Sequence, residues 1–192
     1  PPIHQSSITA SHYALDSHAV RKREEGRVHL DGFLSYPSAV YTVPYGVMVP
    51  KEVGNLLLPV PVSGSHIGFS TLRMEPCWMA MGQAAGIASA LSIDGKVKVQ
   101  NIDLSRLQDK LVDQKATLMY FKDVDYTSPH FRMVQYLGLR GYLPEWTARL
   151  QEPVDMATLT AWKKLSGKDL PGIEAGKTTR LVALEMIYRK IK

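Results

Sequence analysis

EPCWMAMGQAAGIASALSIDG, residues 75–95, is the stretch on which the fold turns. Pro76 stands where a first helical turn tolerates it, because its missing N–H would have no intrahelical acceptor, and Ala, Met and Leu dominate the rest. The pattern predicts a helix from Glu75 to about Ser92, ended by Asp94-Gly95. Apolar residues fall all round it rather than on one stripe, so burial on most sides is expected. Gly82, Ala84, Ala85, Gly86, Ala88 and Ser89 make one surface thin. Each helical glycine costs about 1 kcal/mol relative to alanine, a loss that close approach of another backbone or a flat ligand would offset.

Upstream, Val62-Ser63-Gly64-Ser65-His66-Ile67-Gly68-Phe69-Ser70-Thr71-Leu72-Arg73-Met74-Glu75-Pro76 reads as a loop into that helix. A helix start presents orphan N–H groups and partial positive charge, and Arg73 adds a full one, which together suit an anionic or electron-rich group. A polar loop that merely caps a helix is the alternative. Before it, Asn55 to Val62 is too short for a helix and is expected as a buried strand, with Pro59 and Pro61 at an edge or bend. Val43-Pro44-Tyr45-Gly46 and Val49-Pro50-Lys51 punctuate a loop, and Arg27 to Leu34 alternates as a strand does.

Downstream, Leu104, Leu107 and Leu111 predict a short surface helix over Asp103 to Val112, capped by Asp103 or Ser105. Further helices are expected from Ser128 to Leu139, closed by Gly138 or Gly141, from about Asp155 to Leu165, and from about Thr178 to Ile191, with a domain boundary near residues 117–121. The expected class is α+β: an incomplete α/β part of short strands plus a buried helix over 1–118, then a small all-helical domain over 119–192.

Composition narrows the functions. The 192 residues are 45% hydrophobic, enough for a core, and the net charge of +5 is scattered, its one cluster Arg21-Lys22-Arg23 being answered by Glu24 and Glu25. That pattern lacks the one-faced cations and interleaved aromatics of a nucleic-acid surface. No run approaches the roughly eighteen apolar residues of a membrane-spanning helix. Cys77 is the single cysteine, so no internal disulfide can form. In the first helical turn its thiol could be acidified by the helix dipole, or it is a small core residue. His12 and His18 with Asp16 make too loose a cluster for a metal. The start at Pro1-Pro2, without Met or an apolar leader, suggests an excised or processed piece.

Several separated motifs carry a resemblance. The run from Val43 to Pro50, then Asn55 to His66, then Arg73-Met74-Glu75-Pro76 to Gly82-Gln83-Ala84-Ala85-Gly86, with Asp16-Ser17-His18 upstream, resembles the FAD-dependent oxidoreductase family with a glutathione-reductase-type flavin fold over roughly residues 10–118. The resemblance implies that Ser63, Gly64, Ser65 and His66 line the ribityl or pyrophosphate side of FAD. It also implies that Arg73, Met74 and Pro76 bring the helix start to the isoalloxazine pyrimidine edge, with Gln83 further along the same helix. His66 and His18 are the candidates for proton transfer, because imidazole titrates near neutrality; hydrogen-bonded structural roles remain open for both.

The family's G-x-G-x-x-G pyrophosphate cradle occurs nowhere among the fourteen glycines. The expectation is therefore a C-terminal portion that binds FAD weakly or not at all alone, is inactive alone, and needs an N-terminal dinucleotide-binding half to act on a small organic substrate, sugar-derived ones included. Residues 119–192, through Phe121-Lys122-Asp123-Val124, Ser128-Pro129-His130-Phe131, Leu139-Arg140-Gly141-Tyr142-Leu143 and Thr178-Thr179-Arg180-Leu181-Val182-Ala183-Leu184, resemble a degenerate S-layer-homology-type helical module. Such modules bind cell-wall polymers, which implies an exported parent. Packing against the oxidoreductase body is the preferred role here. The alternative is a carbohydrate or cell-wall binding module working through an exposed Trp146 or Trp162.

Overall fold

The computed structural model describes residues 3–17 and 34–192. His18, the cluster at 21–23 and all of the expected 27–34 strand except Leu34 lie outside the described residues. The chain divides into two units, His4–Leu118 and Met119–Lys192. Each is mixed or helical as the sequence suggests, and the whole is α+β.

In the first unit, β1 (Ser7–Ser11) pairs antiparallel with β4 (Tyr41–Pro44), and β2 (Leu15–Ser17) pairs antiparallel with β3 (Leu34–Tyr36). A register shift between Ser7 and Thr9 accompanies burial of Ile8 to 1% exposure. The far edge of β1 is covered as well. The Ala10 N–H donates to the Thr117 carbonyl, and the Gln108 amide donates to the carbonyls of Gln5 and Ser7. These bonds occupy peptide groups that a bare edge strand would present to another chain.

Three helices follow: α1 (His66–Leu72), α2 (Glu75–Gly95) and α3 (Leu104–Asp113). The stretch expected as a loop before α2 thus contains a helix. Ser65 caps it, its Oγ accepting the Gly68 N–H at 3.0 Å. Gly68, Ser70 and Thr71 are weak helix formers, so its sequence signal is faint and its packing against β2 supplies the rest.

The strand expected over Asn55–Val62 is not formed. Pro59 and Pro61 lie two apart, so in a strand both would remove donors from the same edge. The segment instead hangs on a 3-10 turn at Tyr45–Met48: Leu58 N–H donates to the Met48 carbonyl and Ser63 N–H to the Val47 carbonyl.

Burial of α2 on most sides is also corrected. Cys77, Met81, Ala84, Ala85, Ala88 and Leu91 are buried against β1, α3 and a 3-10 turn at Val99–Asn101. The opposite face is open, with Met79 74% and Ile93 75% exposed and Gln83, Gly86 and Ala90 exposed between them. A Cβ built on Gly82 or Gly86 would meet nothing within 4 Å, so the thin part of the helix faces free space. The helix stops at Gly95 as Asp94-Gly95 predicts, although Lys96 takes the left-handed conformation at φ 51°. In α3, Asp103 caps by accepting the N–H groups of Ser105 and Arg106, while Leu107 and Leu111 are fully buried and belong to the core.

The second unit holds α4 (Phe131–Leu139), α5 (Met156–Ser166) and α6 (Arg180–Ile191). Residues 128–130 form a turn before α4 rather than its first turn. Asp155 and Thr179 cap α5 and α6, and Gly167 ends α5 at φ 61°. Gly138 is needed for close packing, since a Cβ there would lie 2.9 Å from both Met119 Sδ and Phe121 Cζ. Buried Gln135 accepts the Met119 N–H at 2.8 Å and donates to the Met119 carbonyl at 2.7 Å. Trp162 is 1% exposed with its N–H donated to the Tyr142 carbonyl, so it is core and not a binding surface; Trp146 is half-buried. Among the described residues no helix is long and apolar enough to cross a membrane.

Candidate functional site

The short helix α1 separates the expected site residues into two groups. Ser63, Gly64, Ser65 and His66 stand exposed at its start, and Arg73, Met74 and Pro76 at its end, about 10 Å further at 1.5 Å per residue. Gln83 lies two turns along α2, where its amide donates to Gln114 Oε1 at 2.8 Å beyond the end of α3. His18 is outside the described residues, but Asp16 and Ser17 before it end β2 beside Arg73.

Arg73 is not a spare cation. One of its terminal nitrogens lies 2.6 Å from Asp16 Oδ2, and the Tyr13 hydroxyl donates to the same oxygen at 3.0 Å. The guanidinium also rests 5.5 Å from the Tyr13 ring centre. The hydrogen bond to Asp16 raises the Tyr13 pKa, since it is made by the protonated phenol. The pair is neutral overall, and Glu75 in the first turn of α2 offsets part of the helix dipole. At the start of α2 Pro76 has no N–H and Cys77 and Trp78 donate to the Met74 carbonyl at 3.1 and 3.2 Å, so an incoming anion meets the Glu75 N–H more than a free guanidinium.

A second set of bonds fixes this junction from behind. Thr71 Oγ1 donates to the Tyr13 carbonyl, and Tyr41 reaches both the Thr71 carbonyl at 2.9 Å and Ser11 Oγ at 3.2 Å. Burial raises the Tyr41 pKa, with the Ser11 and Thr71 bonds opposing it. Cys77 departs from the dipole expectation in the same surroundings. It is 7% exposed, and burial raises its thiol pKa against a smaller lowering by Ser11. It is a core thiol. Asp16 and Arg73 are 57 residues apart, and no local pattern announces that Tyr13, Tyr41 and Thr71 converge with them.

The fit to a flavin is partial. The exposed Ser63–Ser65 run and the side-chain-uncapped start of α2 can face one edge of a flat, electron-accepting ring, the helix dipole favouring negative charge there. Nothing among the described residues forms a glycine-rich turn onto a helix start that would seat a pyrophosphate. No curated protein and no solved structure matches the chain. The sequence pattern of the family described as FAD dependent oxidoreductase does match it, over residues 3–111. That span takes in both sheets, the Asp16–Arg73 pair, α1, α2 and most of α3, and the chain belongs to the FAD dependent oxidoreductase family.

Proposed function

We propose that residues 63–76 form one wall of an FAD site of glutathione-reductase type, completed by a dinucleotide-binding half that seats on the outer face of α2. The observation that carries this is the open face itself: Met79 and Ile93 stand at its ends with Gly82, Gly86 and Ala90 between them, and small residues admit a neighbouring backbone closely. FAD would supply hydride acceptance from a small organic substrate, sugar-derived ones included. This chain's part is to present Ser63, Gly64 and Ser65 to the cofactor, to set the N–H groups of Met74 and Glu75, with Pro76 opening the helix, against charge on its pyrimidine edge, and to offer His66, with His18, as a proton acceptor. The Asp16–Arg73 bridge holds β2 against the junction of α1 and α2.

The test is flavin absorbance after desalting. The chain alone, mixed with excess FAD, is expected to emerge colourless; mixed also with the dinucleotide-binding half of another family member, it is expected to retain flavin, and Met79→Asp or Ile93→Asp to prevent this. Stoichiometric FAD on the chain alone overturns the reading.

A second reading concerns residues 119–192, as an S-layer-homology-like module that binds an acceptor-rich wall polymer in an exported parent. It is favoured by donors lacking hydrogen bonds: the indole N–H of Trp146 is buried without one, and so is the Arg149 Nε–H, whose carboxylate partner Glu152 stands 3.9 Å away, near an Arg180 that is 5% exposed. Against a simple surface site, Arg180 Nε is already donated to the Ala148 carbonyl. Co-sedimentation with purified wall polysaccharide, lost in Arg149→Ala, is the expected outcome under this reading; no sedimentation leaves the unit as a packing domain.

A further inference from the structure

We infer that a groove between the 3-10 turn at Tyr45–Met48 and the proline-rich 58–63 segment, meeting the 63–76 junction only at Ser63, binds a small aromatic hydroxy acid. The groove encloses about 530 Å³, within the range of roughly 300–1,000 Å³ typical of small-molecule sites. Its lining is chiefly aliphatic, with the ring faces of Pro50 and Pro61 among its walls, and three polar side chains are placed around it. Among the described residues Lys51 is the only charged one on the lining and has no partner, and no carboxylate lies there to repel an anion.

Gln100 gives the site direction. Its Nε2 donates to the Pro50 carbonyl at 2.8 Å and the Val53 carbonyl at 3.0 Å. Both donors are thereby committed and the amide plane is fixed, so Oε1 remains as an oriented acceptor. The Ser63 hydroxyl is a further polar group on the lining, exposed and without a hydrogen bond of its own. At Gly46 a Cβ would meet nothing within 4 Å, so the backbone lies bare and a flat ring can rest on it.

These features select one ligand chemistry. A carboxylate suits Lys51, a hydroxyl donor suits Gln100 Oε1, and an apolar planar body suits prolines and bare backbone. A polyhydroxylated sugar acid would bury more hydroxyls than three polar side chains can satisfy. The proposal stands whether or not the flavin reading does, because it concerns binding to this chain without cofactor.

The experiment is a backbone-amide NMR titration of the chain with 4-hydroxybenzoate, with 4-hydroxybenzamide and D-glucuronate run in parallel. For ten heavy atoms the expected dissociation constant is on the order of 1 mM, with saturable shifts at residues 46–51, 58–63 and 100. Lys51→Met is expected to weaken 4-hydroxybenzoate by about three- to fivefold, the upper part of the range of an exposed ion pair, and to leave 4-hydroxybenzamide unchanged. Gly46→Leu fills open space and is expected to abolish binding of both while the remaining spectrum is preserved. Absent or unsaturable shifts, tighter binding of D-glucuronate, or undiminished binding to Gly46→Leu would each overturn the proposal.

Discussion

The units His4–Leu118 and Met119–Lys192 treat their large side chains differently. In the second, Leu137, Leu143, Trp162, Leu184 and Ile187 are at most 1% exposed, although Met156 and Leu165 on α5 and Val182 on α6 stand open. In the first, α2 divides lengthwise: Met81, Ala84 and Ala88 are wholly buried, while Met79 and Ile93 on the other side are about as exposed as surface lysines usually are. The first unit also leaves Leu56, Val60 and Ile67 exposed along its irregular segment. A unit that buries most of its large apolar side chains can be understood chiefly from its own core. A unit that turns half of an apolar helix outward has a composition that its own core does not explain, and the residues to test are those on the open side.

The largest effect expected from this contrast is in the closed unit. Trp162→Ala removes a wholly buried indole and leaves the Tyr142 carbonyl without its donor. A loss of about 3–5 kcal/mol is expected, read from a urea titration followed by circular dichroism. An effect below about 1 kcal/mol would mean that this core is looser than its burial indicates.

A smaller effect separates the buried side of the first unit from its open side through pH. Tyr45 donates to the Val99 carbonyl at 2.8 Å, and burial pushes its phenol up to about 12. A raised folded-state pKa means that the unfolded chain ionises first. The stabilising contribution is therefore intact below the ordinary value near 10, and is lost as pH climbs from there through about 12. Tyr45→Phe should flatten this alkaline decline, at a cost of about 1 kcal/mol at neutral pH for the lost bond. An unchanged alkaline profile in the variant would assign the decline to other groups.

The smallest effect is the most informative. Met79→Gln and Ile93→Gln should each leave the stability of the isolated chain within about 0.5 kcal/mol, as for surface positions without special contacts. If either costs as much as Trp162→Ala, the open face of α2 is interior in solution and the contrast between the units fails.

The same contrast governs what the sequence discloses. The bounds of α3, α5 and α6 follow from caps a few residues away, at Asp103, Asp155 and Thr179, and the end of α2 follows from Asp94-Gly95. Local chemistry suffices there. It fails at Asn55–Val62, whose apolar character suggests a strand although the segment has no strand to pair with among the described residues. It fails again at α1, where Gly68, Ser70 and Thr71 hide a helix that neighbouring elements support. Arg73 was legible as a charge at a helix start. Its neutralisation by Asp16 was not, because the partner lies far along the chain.

Gln135 has a consequence for which substitutions the chain can accept. Its side-chain amide answers both peptide groups of Met119, much as a neighbouring strand would, so a single residue serves as a splint where the second unit begins. Glutamate has the same reach but offers no donor when ionised; leucine has similar bulk but offers neither donor nor acceptor; asparagine has the right chemistry on a stem one carbon shorter. Position 135 should therefore be among the least tolerant in the chain, although nothing in its own helix pattern sets it apart from an ordinary polar residue.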